Sequence, residues 1–196
     1  MSRFRVISAV ATLALLAAAA LPAREARAAD EAWQKGATWV SLRGGMTKSL
    51  SDNAPNGNVG WGVGYHRVLS RHVIVGGTIE HELLGRFGPS SIIEVPMGAE
   101  VLLQWRWRTP VHPMMGVGFA AYYRKHHRTG ADRADFQPGA WLKLGLGTPI
   151  DAASLLGLEV KLASVSSDGA FEDPVFGRDE PSSGRFSTKL VYTRAY

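Results

Sequence analysis

The fold is decided by the stretch Ile93-Glu94-Val95-Pro96-Met97-Gly98-Ala99-Glu100-Val101-Leu102-Leu103-Gln104-Trp105-Arg106-Trp107. Its odd-numbered positions are apolar without exception, and most of its even-numbered positions are charged, amide or glycine. Successive side chains of a β-strand point to opposite faces. This stretch therefore predicts a strand with one apolar face and one charged face.

The same period of two recurs along the chain in segments separated by Gly, Pro, Asp, Ser and Asn. Eight segments follow it, at 37–48, 59–70, 73–86, 91–107, 112–124, 135–148, 154–166 and 184–196. We therefore predict an all-β protein, an eight-stranded antiparallel up-and-down transmembrane β-barrel.

The two parities give two different surfaces. The apolar surface carries aromatic residues near strand ends, such as Trp105, Trp107, Tyr192 and Tyr196, where a membrane barrel has its aromatic girdles. The other surface carries most of the glycines together with the following polar residues: Arg43, His66, Glu80, Glu82, Glu94, Glu100, Gln104, Arg106, Lys143, Glu159, Lys161, Arg185 and Lys189. An eight-stranded barrel has a narrow lumen that side chains fill, and glycines there make room for long ones. We predict that the apolar surface faces lipid and the charged surface faces the lumen.

The connections are predicted to alternate in length. Odd connections are long and polar (Ser49–Asn58, Gly85–Ser90, Lys125–Ala134 and Ser167–Ser183), whereas even ones are short (around Ser70–His72, Thr109–Val111 and Thr148–Ala153). Membrane barrels place long loops outside the cell and short turns in the periplasm. This pattern again favours a membrane barrel over a soluble, lipocalin-like one.

The N-terminus predicts export. Residues 1–28 combine Arg3 and Arg5, an apolar run over 6–20 and the cleavage pattern Ala26-Arg27-Ala28, so we expect a signal peptide followed by a barrel domain at 29–196. The chain has no cysteine, which excludes a lipid-anchored or disulfide-stapled mature protein. The formal charge of +5 falls to +2 without residues 1–28, so nucleic acid is not expected as a partner.

Two motifs resemble a known superfamily. The stretch at 94–100 and the later Pro113-Met114-Met115-Gly116-Val117-Gly118-Phe119-Ala120 resemble the small outer-membrane β-barrels that include the opacity, Ail and OmpA-like proteins. The last residues, 190–196, resemble the signal that the barrel-assembly machinery reads, which ends in an aromatic such as Tyr196. The resemblance implies a place in the outer membrane beside lipid and lipopolysaccharide. It does not specify a function, because this fold hosts adhesins, structural barrels, enzymes and pores.

The predicted lumen contains five acids and six bases. They could form an ion path or an acid–base pair, but near-equal charge favours a mutually neutralising set of ion pairs. The six histidines, His66, His72, His81, His112, His126 and His127, show no metal-site spacing, and we expect them at the surface. We therefore predict no catalytic, cofactor-binding or metal-binding residues.

The sequence leaves an outer-membrane enzyme as an alternative. Outer-membrane lipid A deacylases, which have a similar barrel, carry a His-x-Ser on a late strand, and Ser166 would match the serine. Ser164 stands where the histidine is required, so the base would have to come from elsewhere, for example His81 beside Glu80. His81 breaks the apolar parity of its strand, which places it near the outer rim or indicates a register slip.

The predicted loops 125–134 (basic) and 167–183 (acidic) are either solvated connections or a surface for a ligand. We expect a non-enzymatic outer-membrane protein with a structural or surface-interaction role. The alternatives are a lipid-modifying enzyme and a narrow pore.

Overall fold

The computed structural model describes residues 34–50, 58–87, 90–105, 111–128, 131–166 and 184–196. The predicted signal peptide lies outside these residues. The described residues contain eight strands: β1 (Thr38–Ser49), β2 (Asn58–Val68), β3 (Val73–Phe87), β4 (Ser90–Gln104), β5 (His112–Arg128), β6 (Ala131–Pro149), β7 (Ser154–Val165) and β8 (Gly184–Ala195). No helix in this part of the chain is long and apolar enough to cross a membrane.

The strands close into one antiparallel barrel in which each pairs with its sequence neighbour and β8 returns to β1. Pairing between the first strand, β1, and the last strand, β8, closes the sheet. The paired part of the barrel therefore has no free sheet edge that would invite aggregation. The predicted up-and-down topology is confirmed. We call the end with the β2–β3, β4–β5 and β6–β7 turns the inner end, and the opposite end the outer end.

The two faces of the barrel are as predicted. Leu42 on the outside is 58% exposed and Phe119 is 69% exposed, whereas Glu94 inside is 0% exposed. The middle of the outer wall is a continuous apolar band of Val, Leu, Ile, Met and aromatic side chains, and the charged residues at that level are inside. A water-soluble barrel has the opposite arrangement, so the fold is that of a transmembrane barrel.

Two predicted loops are wrong. Strand β3 continues to Phe87 and β4 begins at Ser90, so the connection predicted at Gly85–Ser90 shrinks to residues 88–89. Strands β5 and β6 leave only residues 129–130 between them, and the segment predicted as a loop at Lys125–Ala134 is mostly paired strand, from Lys125↔Ala134 to Arg128↔Ala131. Beyond a membrane both faces of a strand meet water, so a polar sequence there does not distinguish strand from loop. The predicted loop 167–183 lies outside the described residues.

The β2–β3 and β6–β7 turns at the inner end are short, as predicted. In the β6–β7 turn the Ile150 N–H donates to the Ser154 carbonyl at 2.9 Å, and the Asp151 carboxylate accepts the Ala153 N–H at 2.8 Å. This hydrogen bond holds the pKa of Asp151 below its ordinary value. Strand β4 ends at Gln104 rather than at 107, and the Trp105 N–H then bonds the Pro113 carbonyl at 3.0 Å. Arg106 and Trp107 lie outside the described residues.

Candidate functional site

The lumen is closed at its inner end by an apolar cluster that the sequence analysis missed. Its buried members are Trp39, Val68, Ile74, Leu102 and Leu155. All of them occupy lumen-facing positions within a few residues of the inner strand ends, where the parity list contained only polar residues and glycines. Side chains that fill this end leave no wide opening among the described residues.

The first charged group lies next to this cluster and centres on Glu100. The Glu100 carboxylate lies 2.7 Å from His66 Nε2 and accepts hydrogen bonds from Lys143 Nζ at 2.7 Å and from Trp141 Nε1 at 3.2 Å. Arg43 connects it to the neighbouring acids, at 3.6 Å from Glu100 and 3.5 Å from Glu159. His66 is therefore buried and hydrogen-bonded in the lumen, as its parity predicted, and the general expectation that the histidines lie at the surface is wrong for it. It is also wrong for His112, which is 6% exposed.

The second charged group pairs two acids with two lysines. Lys189 Nζ lies 2.7 Å from both Glu80 and Glu82. Lys161 bonds Glu80 and lies 3.4 Å from Glu82. All four side chains are at most 9% exposed, so each charge is compensated across the lumen rather than by water.

The third group is nearest the outer end and places two arginines on one acid. Glu94 accepts hydrogen bonds from Arg124 Nε at 2.7 Å and from Arg185 Nε at 3.0 Å. Arg185 also donates to Ser49 Oγ at 3.2 Å. Arg124 was missed because it is the last residue of the predicted fifth strand, next to the predicted loop. Arg124 has the same parity as the lumen-facing Tyr122, and this parity is the signal that could have identified it.

Two interior aromatics separate these groups, and glycines make room for them. Trp141 lies against Gly98 and Gly118, and the ring of Tyr122 lies against Gly139. The Lys161 ammonium lies 5.7 Å from the centroid of the Trp141 ring. The glycines therefore accommodate aromatic rings here, whereas the sequence analysis assigned them only to long charged side chains.

Replacing Gly118 tests this packing. In Gly118→Ala the new Cβ would lie 2.4 Å from the Trp141 ring and 2.6 Å from the Ala99 carbonyl oxygen, so we expect a loss of about 1–3 kcal/mol in the free energy of unfolding. The matched control is Gly44→Ala on the outer wall, where nothing lies within 4 Å. Gly44→Ala should be neutral or slightly stabilising. Equal losses in urea titrations of both variants would contradict the packing.

The charged interior is a set of mutually neutralising ion pairs. Every acid that was predicted to face the lumen contacts at least one base. One cavity at the inner end, of about 20 Å³, is lined by Arg43, His66 and Glu159 and has room for about one water molecule. Within the described ranges, no three His, Asp or Glu side chains are grouped to hold a metal ion.

The residues considered for a deacylase are not brought together. Ser164 and Ser166 lie exposed on the outer wall at the outer end of β7. His81 lies on the outer wall of β3, stacked on Trp61 with ring centroids 5.6 Å apart, and Glu80 points the other way into the lumen. Strands β3 and β7 are not neighbours in the barrel. His81 pairs in register with Trp61, near the outer end of β2, and the shift in the β3 ladder lies beyond it at Leu83/Gly85.

Half of the barrel wall extends beyond the rest at the outer end. Strands β5 and β6 have 17 and 19 residues, whereas β7 and β8 have 12 each. A membrane crossing needs about 9–11 residues. The β3–β6 half, which we call the protruding sheet, therefore projects past the membrane-sized part of the barrel.

The protruding sheet has an open edge on β6. Pairing between β6 and β7 stops at Gly139↔Val165, with one further bond from the Ser166 N–H to the Pro138 carbonyl at 2.8 Å. Backbone groups alternate in direction along a strand, so those of Phe136 and Ala134 point the same way as those of Pro138, past the end of β7. Among the described residues nothing pairs with them on that side. Phe136 is also 62% exposed, and its ring centroid lies 5.1 Å from that of Tyr123.

No protein-family model matches the chain, and no curated protein matches it. Solved structures do. Neisserial surface protein A superposes with a TM-score of 0.68 at 10% identity, covering 83% of this chain and 100% of that one. Ail, the attachment invasion locus protein of Yersinia pestis, gives 0.56 at 9% identity, with 83% and 99% covered. The N-terminal β-barrel domain of Pseudomonas aeruginosa OprF gives 0.54 at 9%, with 83% and 98% covered. The likeness shows the fold, that of the small eight-stranded outer-membrane barrels, as the resemblance predicted.

Proposed function

We propose that this protein is an outer-membrane barrel with a sealed lumen that acts by binding other molecules at the cell surface, and that it is not an enzyme. The observation that carries the proposal is the contrast between the filled lumen and the protruding sheet. The lumen is filled by ion pairs and an apolar cluster, whereas the protruding sheet offers exposed backbone and aromatic groups. A surface role places the interactions where, among the described residues, backbone groups of β6 have no strand beside them.

The orientation follows from the connections. The longest connection, between β7 and β8, and the extensions of β3–β6 are all at the outer end. Bacterial barrels place their longer connections outside the cell, so the protruding sheet lies outside, above the lipopolysaccharide leaflet. Strand β8 ends at Ala195, and Tyr196 follows it, 73% exposed on the wall. We propose that the assembly machinery that inserts the barrel reads this residue. The neighbours named surface protein A and attachment invasion locus protein support a role of this kind without identifying a ligand.

A test of the location and the seal uses gel mobility and conductance. The protein should appear in the outer-membrane fraction, and its mobility in SDS should change on boiling, because a closed barrel resists SDS until heated. Purified protein should show no discrete conductance in planar bilayers. Protein in the soluble periplasm would contradict the location, and steady single-channel steps would favour a pore.

The open β6 edge suits one kind of ligand, an extended polypeptide. Such a ligand would add a strand to the sheet beside Ala134 and Phe136. Ala134→Pro removes a backbone N–H that points to this open edge, so the barrel should fold normally while binding of host or bacterial surface proteins falls at least tenfold. The matched control is Ala140→Pro, six residues along the same parity, where the N–H faces β7 inside the paired ladder. That variant should lose stability instead. Undiminished binding by folded Ala134→Pro would exclude the edge.

A further inference from the structure

The inner end of the outer wall carries a mixed patch of arginine and tyrosine where the first and last strands meet. We call it the seam patch, and it consists of Thr38, Val40, Tyr65, Arg67, Tyr192, Arg194 and Tyr196. All of these residues have outward-facing parity, and Arg67 and Arg194 are exposed.

The register places the two arginines on either side of β1. Thr38 pairs with Arg67 on β2, and it exchanges backbone hydrogen bonds of 2.9 Å with Tyr196 on the other side. Val40 pairs with Tyr65 and with Arg194. The two arginine columns are therefore two strand spacings, about 10 Å, apart. Arg194 is also offset from Arg67 by two residues along the strands, so their Cα atoms are about 12 Å apart, with only the short side chains of Thr38 and Val40 between them. Two arginine side chains can meet over Thr38 at that separation.

The tyrosines hold this arrangement in place. The Arg194 guanidinium lies 6.0 Å from the Tyr196 ring centroid, in the range of a cation–π contact. The Tyr192 hydroxyl lies 3.0 Å from Ser154 Oγ. Asp151, whose charge acts on Arg194, comes from the β6–β7 turn, on the β7 side and away from Thr38. The β1 side of the patch keeps its positive charge.

Beyond the patch, the row of outward side chains on β1 is interrupted at Gly44, which leaves a shallow groove there. Along β1 the outward residues after Thr38 are Val40, Leu42 and Gly44, and nothing lies within 4 Å of the position where Gly44 would carry a Cβ. Gly44 is flanked by Trp61 on β2 and by Leu190 on β8, which are 58% and 53% exposed. The groove is apolar, and an acyl chain that hangs from a headgroup at Thr38 would reach it along β1.

We infer that the seam patch is a binding site for one anionic phospholipid, its phosphate held between Arg67 and Arg194 and one acyl chain lying over Gly44. The inference rests on the proposed function for its location, because the inner end then meets the phospholipid leaflet. A lipid with a net negative headgroup, such as phosphatidylglycerol, satisfies both arginines. Zwitterionic phosphatidylethanolamine brings its own ammonium group to the same place and gains less.

Native mass spectrometry of the detergent-solubilised, folded protein tests the site with phosphatidylglycerol and phosphatidylethanolamine in equal amounts. Unaltered protein should retain phosphatidylglycerol preferentially. Arg67→Gln and Arg194→Gln should each lower that preference about fivefold, the effect of one basic residue beside an anionic lipid surface. Arg67→Lys should keep most of it. The matched control is Arg71→Gln in the β2–β3 turn, exposed at the same end but outside the patch.

The groove is tested by filling it. Gly44→Leu should weaken retention of both lipids alike without changing their ratio, and Ala99→Leu, outward on β4, should change neither. Boiling-dependent gel mobility of each variant shows that the barrel is folded. Equal losses in Arg71→Gln and Arg67→Gln, or no preference in the unaltered protein, would overturn the site. Because this assay is done in detergent, a protein that is absent from the outer membrane but still prefers phosphatidylglycerol would refute the proposed location and support the site.

Discussion

Glu94→Gln should lower the free energy of unfolding by about 3–5 kcal/mol, the range for a buried ion pair that loses one partner. Glu94 is 0% exposed and is the carboxylate that binds both Arg124 and Arg185. The amide has almost the same shape, so packing is kept while two guanidinium groups lose their counter-charge. Urea titration of the barrel in phospholipid vesicles, followed by tryptophan fluorescence, measures the loss.

Two further variants separate lost charge from lost shape. Glu94→Gln combined with Arg124→Gln should be more stable than the sum of the two single losses predicts, because one arginine that has lost its counter-charge is then gone. Asp151→Asn applies the same chemical change to an exposed turn and should leave the free energy of unfolding almost unchanged. The Asp151 pKa is lowered in the folded state, so its small contribution is present near neutral pH and is lost as the pH falls through that lowered value. Additive effects of Glu94→Gln and Arg124→Gln would contradict the ion-pair account.

Leu144→Arg should cost about 2–4 kcal/mol in vesicles, the range for an arginine on the lipid face of a barrel at the bilayer midplane. Leu144 is 56% exposed on β6, between Met115 and Val160 in the middle of the apolar band. In a soluble barrel an exposed leucine could become arginine at almost no cost. The sign and size of this effect therefore report which solvent the outer wall meets.

The control for Leu144→Arg is the same substitution at the rim. Val59 is 63% exposed and is the second residue of β2, at its outer end, where arginine should cost about 0–1 kcal/mol. Urea titration in vesicles again supplies the measurement. Similar small losses at both positions would show that the band does not contact hydrocarbon.

Parity was enough to predict the fold and the two faces, because one face of every strand had to be apolar throughout its crossing. Glu80, Glu94 and Lys189 were all placed correctly in the lumen on that basis. Parity does not say which acid meets which base, because the partners lie across the lumen and far apart in sequence. Lys189 and Glu80, for example, are separated by 109 residues.

The sequence was less informative in the parts of the barrel where contact with lipid does not determine whether a residue is polar or apolar. The β5–β6 hairpin was predicted as a loop because its residues are charged, although charged residues can pair in a ladder once both faces meet water. The apolar cluster around Trp39 and Ile74 was missed for the opposite reason. The predicted lumen surface named only polar residues and glycines, whereas lumen-facing apolar residues close the inner end.

The central claim, that the apolar wall faces lipid, is tested most directly by site-directed spin labelling, for which a chain without cysteine needs no prior substitution. Nitroxides would be attached at Leu142, Leu144 and Leu146 on β6, with Ala152 in the β6–β7 turn as the aqueous reference. We expect the three wall positions to collide with lipid-soluble oxygen and to be shielded from an aqueous nickel chelate, with Ala152 showing the reverse. Wall labels as accessible to the chelate as Ala152 would show that the wall faces water, and the account would be wrong.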